Sequence, residues 1–408
     1  MKLIKFSQRK LEEIYNRSIG KRRRVESVVS RIIEDVRLNG DRAILRYTRK
    51  FDKVKFSVKQ IQVSESDITG SYQDLKPDFL DALKFAIGNI RTFYEKKVLK
   101  SWKTRAKDGI ILGEIISPIE KVGVYIPGGT SPLVSTVYMT VIPAQVAGVK
   151  EIYLTTPPDR NGFINPYILA VANLLKVKAV FRIGGAQAIA AFAFGTKTVP
   201  KVDKIVGPGN MYVTEAKRQV FGYVDIDSVA GPSEVVIIAN HHTNPKYVIA
   251  DMEAQTEHFM GVSVLITASK SLIRQVRNAN VGGYVIKVKN LDEAAEISNR
   301  IAPEHLQIMV KNPYNVLRKI KSAGAIFIGQ YTPTVVGDYV AGPSHVLPTG
   351  GTARFFSGLS VLDFVKKTHL IGMTRKSLER VKPVVEKICS VEKMVKHLES
   401  MEARFKGE

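Results

Sequence analysis

The chain has 408 residues, 45% hydrophobic and 24% charged, a balance that supplies a large buried interior and excludes a fibrous or extensively disordered protein. Its net charge is +23, but the lysines and arginines run along the whole chain with one dense cluster at 21–24, which reads as a basic solvated surface rather than a nucleic-acid site. A lone cysteine, Cys389, excludes an intrachain disulfide framework and a cysteine-cluster metal site.

Residues 1–10 are charged and lack the apolar core and small-residue cleavage site of a secretory leader. The longest weakly polar stretch, 134–149, is interrupted by Pro143 and Gln145 and is too short to cross a bilayer as a helix. A cytoplasmic protein without membrane attachment is expected. Apolar positions recur at helical spacing through 25–47 and 79–93, so the first hundred residues are expected to be mostly helical. Short buried strands follow at 121–125, 151–155, 178–183 and 202–206, with a helix such as 166–175 between them. The rhythm resumes with strands at 235–239, 262–267, 284–288 and 325–328, alternating with helices at 245–258, 291–300 and 313–322. Two α/β domains with mainly parallel sheets are the natural outcome. After Phe364 the strand signals stop, and 381–405 reads as a charged amphipathic helix pair that buries its apolar stripe against the body or another subunit.

No G-x-G-x-x-G fingerprint follows any expected strand. Two glycine turns stand in its place, Gly184-Gly185-Ala186-Gln187 and Gly207-Pro208-Gly209-Asn210, each joining a strand to a helix. Backbone N–H groups there suit a phosphate or a ribose, and equally suit turn geometry alone. Gln255 and His258 stand three apart near a helix end and share a face, which fits either chelation or a hydrogen-bonded helix terminus. In Ala302-Pro303-Glu304-His305, the proline halts a helix and a β-rich run follows, which places two titratable side chains at a strand entrance, a position expected to carry a site. A carboxylate beside an imidazole can divide proton-transfer work at neutral pH, and it can also be a structural pair. The loop 337–351, rich in glycine and proline, carries Asp338 and His345. Glu392 and His397 lie five apart on the charged tail, where a solvated face is the simplest reading.

Taken together, these segments resemble the histidinol dehydrogenase family. The resemblance runs through Val122-Gly123-Val124-Tyr125-Ile126-Pro127-Gly128-Gly129-Thr130, both glycine turns, Ala230-Gly231-Pro232-Ser233-Glu234, Gln255 with His258, Ala-Pro-Glu-His, the Gly-Asp-Tyr loop and the Glu392/His397 pair, in order over nearly the whole chain. It implies two incomplete Rossmann-like domains with small helical extensions that interlock a homodimer. The division expected is an extension at 1–20, a first domain from 21–124 and 235–355, a second from 125–234 on the NAD side, and a helical tail at 356–408. The implied reaction is a two-step, four-electron oxidation of L-histidinol through L-histidinal to L-histidine, the end of histidine biosynthesis.

By the same resemblance, Gln255, His258, Asp338 and His397 match the ligands of one zinc ion per subunit, with His397 and Glu392 expected from the partner chain. His305 matches the base that removes the alcohol proton, and Glu304 the residue that activates water. Ser233, His345 and Glu392 match further substrate contacts, as the zinc ligands and His305 also do, and Tyr125, Gln187 and Asn210 match the NAD contacts. The chain departs from the family pattern in a shorter connection between Leu272 and Tyr284, in Ser344 where asparagine is common, and after His397.

Overall fold

The computed structural model describes residues 2–4, 7, 19–128, 132–258 and 260–405. Its strands are β1 Lys2–Ile4, β2 Trp102–Arg105, β3 Ile111–Pro118, β4 Lys121–Tyr125, β5 Glu151–Thr156, β6 Ala179–Arg182, β7 Lys204–Val206, β8 Asp225–Ile226, β9 Glu234–Ala239, β10 Val262–Thr267, β11 Tyr284–Lys287, β12 His305–Met309, β13 Ala325–Ile328 and β14 Val365–Gly372. They form three sheets in two compact units, the first comprising 1–98 and 119–364, the second 99–118 and 365–408.

The first unit holds two parallel sheets. One has the order β6-β5-β4-β7-β8, the other β1-β11-β10-β9-β12-β13. Setting β1 aside, each places its first strand in the middle, winds two strands to one side and then two to the other, which is the doubly wound, incomplete Rossmann arrangement. The central strands are apolar without alternation because helices cover both faces; β9 and β10 are buried at every residue.

The helical region 19–95 belongs to the five-stranded sheet, not to the sheet carrying Glu304, so the expected grouping of 21–124 with 235–355 gives way to a different one. Val25, Val29, Val36 and Ile44 pack with Phe181, Ile189 and Phe192, while Leu83, Ile90 and Tyr94 pack with Val124, Val137 and Leu154. Strand β4, up to Tyr125, is the middle of that same sheet. The physical reason is that each helical stripe needs an apolar face, and the six-stranded sheet closes its own cores with residues 235–316 and few others.

The expected 1–20 extension also differs, since Lys2–Ile4 is a parallel edge strand beside β11; residues 8–18 lie outside the described part, and a helix starts at Ile19. The expected 25–47 helix is two, Ile19–Asn39 and Asp41–Phe51, broken at Gly40, whose φ is 52°.

The second unit is an antiparallel sheet, β14-β3-β2, with helices Arg375–Glu392 and Val395–Glu402. The helix pair matches the tail as read, but β14 does not. Most of its residues are exposed, so neither face carries the burial alternation that announces a strand.

No helix among the described residues is long and apolar enough to cross a membrane.

Candidate active site

Helix Leu291–Ile301 ends at Ala302, whose left-handed φ of 49° turns the chain, and Pro303 prevents the helix from resuming. Glu304 therefore sits on the threshold of β12 and His305 is its first residue, paired with Val235 of β9 on one side and Ala325 of β13 on the other. Both side chains are buried, at 7% and 4% exposure, so both charges must be answered locally.

Glu304 Oε2 accepts a hydrogen bond from Ser233 Oγ at 2.6 Å and another from the Glu234 backbone N–H at 2.9 Å, and lies 3.5 Å from His305 Nδ1. Burial pushes this carboxyl up, but the imidazole beside it and the two hydrogen bonds outweigh burial and hold it below its usual range. The His305 ring rests against Phe327, with centroids 5.8 Å apart, and its Nδ1 is 3.3 Å from the Glu234 carbonyl oxygen. Its Nε2 faces Asp338 Oδ1 at 3.5 Å, an ion-pair distance that leaves this buried nitrogen without a hydrogen bond. Burial alone would lower His305; the carboxylates of Glu304 and Asp338 overcome it and raise the imidazole above its ordinary value.

Asp338 lies on helix Thr334–Tyr339. Burial pushes it up, and the imidazole of His305, with smaller contributions from those of His345 and His258, more than offsets that. His345 engages both ring nitrogens within the protein: Nδ1 lies 2.9 Å from the Asp338 carbonyl oxygen and Nε2 3.3 Å from Thr136 Oγ1. Burial lowers its pKa. Gln255 opens a single 3₁₀ turn at the end of helix Pro245–Ala254, and its Nε2 is buried with no partner. Gly261 follows so closely that a Cβ there would strike the Gln255 carbonyl oxygen, and only glycine fits. Gln307, on the same face of β12 as His305, donates Nε2 to Asp251 Oδ2 at 2.6 Å and ties that helix to the strand. The long loop is pinned to the site as well, Gly350 N–H donating to Glu234 Oε1 at 3.1 Å.

One fold therefore brings together Glu304, His305, Ser233, Asp338, His345 and His258, with Gln255 beside His258. Glu392 and His397 are in the second unit, Glu392 ending one helix and His397 in the next. Thr136 and Glu234 are additional members. Glu234 stood inside a quoted motif, whereas nothing local marks Thr136.

The site lies at the amino ends of β9 and β12, which departs from the general preference of open α/β sheets for the carboxyl ends. The five-stranded sheet follows that preference. At the carboxyl ends of β4, β5, β6 and β7, a cavity of about 900 Å³ is lined by Tyr125, Pro157, Gly185, Gln187 and Asn210 among others. Tyr125 Oη accepts the Gly185 N–H at 3.1 Å, Asn210 Oδ1 caps helix Met211–Val220, and Gln187 is buried with its Oε1 unpaired. Gly207 approaches so closely that a Cβ would meet the Tyr125 carbonyl oxygen, and its φ of 117° is open to glycine alone. Asp227 Oδ2 accepts its N–H at 2.8 Å and Lys217 Nζ donates to its carbonyl at 3.0 Å.

A doubly wound α/β protein with a buried acid–imidazole pair on one sheet and a dinucleotide-sized cavity on the other belongs among the α/β enzymes. The comparisons narrow the class. The family model for histidinol dehydrogenase matches residues 15–281 and 277–405. The histidinol dehydrogenase of Clostridium acetobutylicum is 46% identical over 397 residues, 92% of this chain and 91% of its own. That of Geobacter metallireducens is 45% identical over 406 residues, 95% and 93% of the two chains. The crystal structure of histidinol dehydrogenase from Elizabethkingia anophelis superposes with a TM-score of 0.89 at 38% identity, covering 94% of this chain and 92% of that one. The chain belongs to the histidinol dehydrogenase family.

Proposed function

We propose that this chain oxidises L-histidinol through L-histidinal to L-histidine in two NAD-dependent steps, as a cytoplasmic homodimer with one zinc ion per subunit. The observation that carries this reading is the junction at the start of β12, where adjacent acid and imidazole are buried together but held by different partners. That asymmetry suits two proton tasks.

The residues fit a zinc ion. Among the described residues no group of three or more His, Cys, Asp or Glu side chains is placed to hold a metal; the ligand set that the family resemblance implies adds the amide of Gln255 to His258 and Asp338. The electrostatic coupling of His258, His305 and His345 to Asp338 supports that set, which mixes nitrogen and oxygen donors as zinc accepts. Bound there, zinc supplies a Lewis acid that orients the imidazole and amine of the substrate. His397, with Glu392 as a substrate contact, is supplied by a second copy of the chain.

In the alcohol step a proton leaves oxygen as a hydride leaves carbon. His305 Nε2, buried and lacking a hydrogen bond, is the atom assigned to that proton. The two carboxylates flanking His305 raise its pKa, and a cation held by Asp338 would offset one of them and favour the neutral Nε2 that a base requires. In the aldehyde step Glu304, kept ionised by Ser233 and Glu234, takes a proton from water as it attacks the carbonyl. Ser233 and His345 complete the contacts to substrate. Tyr125, Gln187 and Asn210 line the coenzyme cavity, and the unpaired Gln187 oxygen supports a polar ligand there.

The deciding experiment is NADH production from histidinol before and after chelation. The reading predicts turnover that chelation abolishes and zinc restores; no NADH from the zinc-loaded full chain overturns it.

A further inference from the structure

The cavity on the five-stranded sheet holds a carboxylate that neither the proton chemistry nor the zinc reading uses. Asp52 follows helix Asp41–Phe51 as its C-cap, its N–H bonded to the Thr48 carbonyl at 2.9 Å, and Lys53 beyond it takes a left-handed φ of 62°. The backbone is thus fixed on both sides. Its side chain lines the cavity together with Tyr125, Gly185 and Gln187, and its Oδ2 is buried with no hydrogen-bond partner. Burial pushes this carboxyl up to about 6, and the Tyr125 phenol lines the same cavity.

A carboxylate oxygen withdrawn from water without a donor is costly and persists where a ligand supplies one. The cavity walls indicate which donor. Val28, Ile32, Phe51 and Phe163 line it with apolar surface, and both phenylalanines remain largely exposed, a wall suited to a flat purine. The glycine turn at 184–185, where helix Gly185–Phe194 begins, and the polar Gln187 and Asn210 suit the phosphates and sugar beyond. A carboxylate adjoining the purine wall meets the ribose attached to that purine.

We infer that Asp52 accepts the 2′-hydroxyl of the adenosine ribose and thereby excludes a 2′-phosphate, making this residue the selector of NAD over NADP. The inference rests on the reading of this cavity as the coenzyme site. The hydroxyl donates to the unpaired oxygen, whereas a phosphate in its place sets two anions together in a partly dehydrated pocket. Lys50 and Arg160 also line the cavity, and Lys50 Nζ lies 5.4 Å from the centroid of the Phe51 ring.

The test is calorimetric binding of ADP-ribose, 2′-phospho-ADP-ribose and nicotinamide mononucleotide to the full-length zinc-loaded protein and to its Asp52→Asn variant, with NADH fluorescence as a second probe. The wild-type chain is expected to prefer ADP-ribose over its 2′-phosphate by about tenfold or more, and Asp52→Asn to shrink that preference by about tenfold with mononucleotide binding unmoved. A ratio of affinities separates selection from misfolding, because a misfolded variant loses both ligands together. An unchanged preference in a variant that still binds ADP-ribose overturns the role of Asp52, as does a change confined to the mononucleotide. If the wild-type chain binds neither ADP-ribose nor NADH, the coenzyme reading of the cavity itself falls, and the inference with it.

Discussion

His305 Nε2 and Asp338 Oδ1 face each other at 3.5 Å across the mouth of β12, one from the first residue of a central strand and the other from a short helix in a distant loop. The pair joins the proposed proton acceptor directly to the proposed metal-binding group.

Replacing His305 by Asn removes the acceptor while leaving Asp338, His258 and Gln255 in place. Turnover is expected to fall by about 10² to 10⁴, with zinc content unchanged by elemental analysis. Wild-type turnover at saturating histidinol would sink the assignment.

Glu304→Gln keeps an acceptor for the Glu234 N–H but loses the negative charge. Oxidation of supplied histidinal is expected to suffer more than the alcohol step, read by comparing single-turnover NADH formation from each substrate. Equal loss in both would place Glu304 in positioning rather than in water activation.

Mixed dimers separate the subunit assignment from the chemistry. Subunits carrying His397→Ala and subunits carrying His305→Asn, each inactive alone, are expected to regain part of the activity on mixing. Proven heterodimers that remain inactive would return His397 to its own subunit's site.

Asp52 carries a pH signature of its own. Its folded pKa of about 6 lies above the unfolded value, so between roughly pH 4 and 6 the folded chain holds a proton that the unfolded chain has released. Stability from this group is full below that window and declines as pH rises through it. Without added dinucleotide, Asp52→Asn is expected to be more stable than wild type at pH 7.5 by about 1 kcal/mol, discounted because part of the carboxyl meets water, with no difference near pH 4. Urea midpoints at the two pH values check this, and a gain at low pH instead would refute it.

The ion pair of Lys217 with Asp227 has both side chains only 3% exposed, and both partners hold Gly207. Lys217→Met is expected to cost about 3–5 kcal/mol by leaving Asp227 buried alone. Adding Asp227→Asn should recover much of that loss in the same urea titration; no recovery would show that the lysine acts by packing.

The parallel strands were legible because burial on both faces writes unbroken apolar runs such as 235–239 into the sequence. Glu304 and His305 were legible for a related reason, since Pro303 and the apolar run after them mark a strand entrance. Strand β14 was not, being mostly exposed, nor were helix partners, because an amphipathic stripe says that it needs an apolar face without saying which. Thr136 and Asp52 escaped because their significance arises from groups distant in sequence, Thr136 beside His345 and Asp52 in the cavity at the carboxyl ends of the five-stranded sheet.

The antiparallel sheet has a consequence for how the chain is made. Strands β2 and β3 emerge early, yet the far side of β3 is paired only by β14, after the whole of 119–364 has been synthesised. Until then the nascent protein carries an unpaired edge on β3. Any product interrupted before residue 365 keeps that edge unpaired, open to strand addition from another chain.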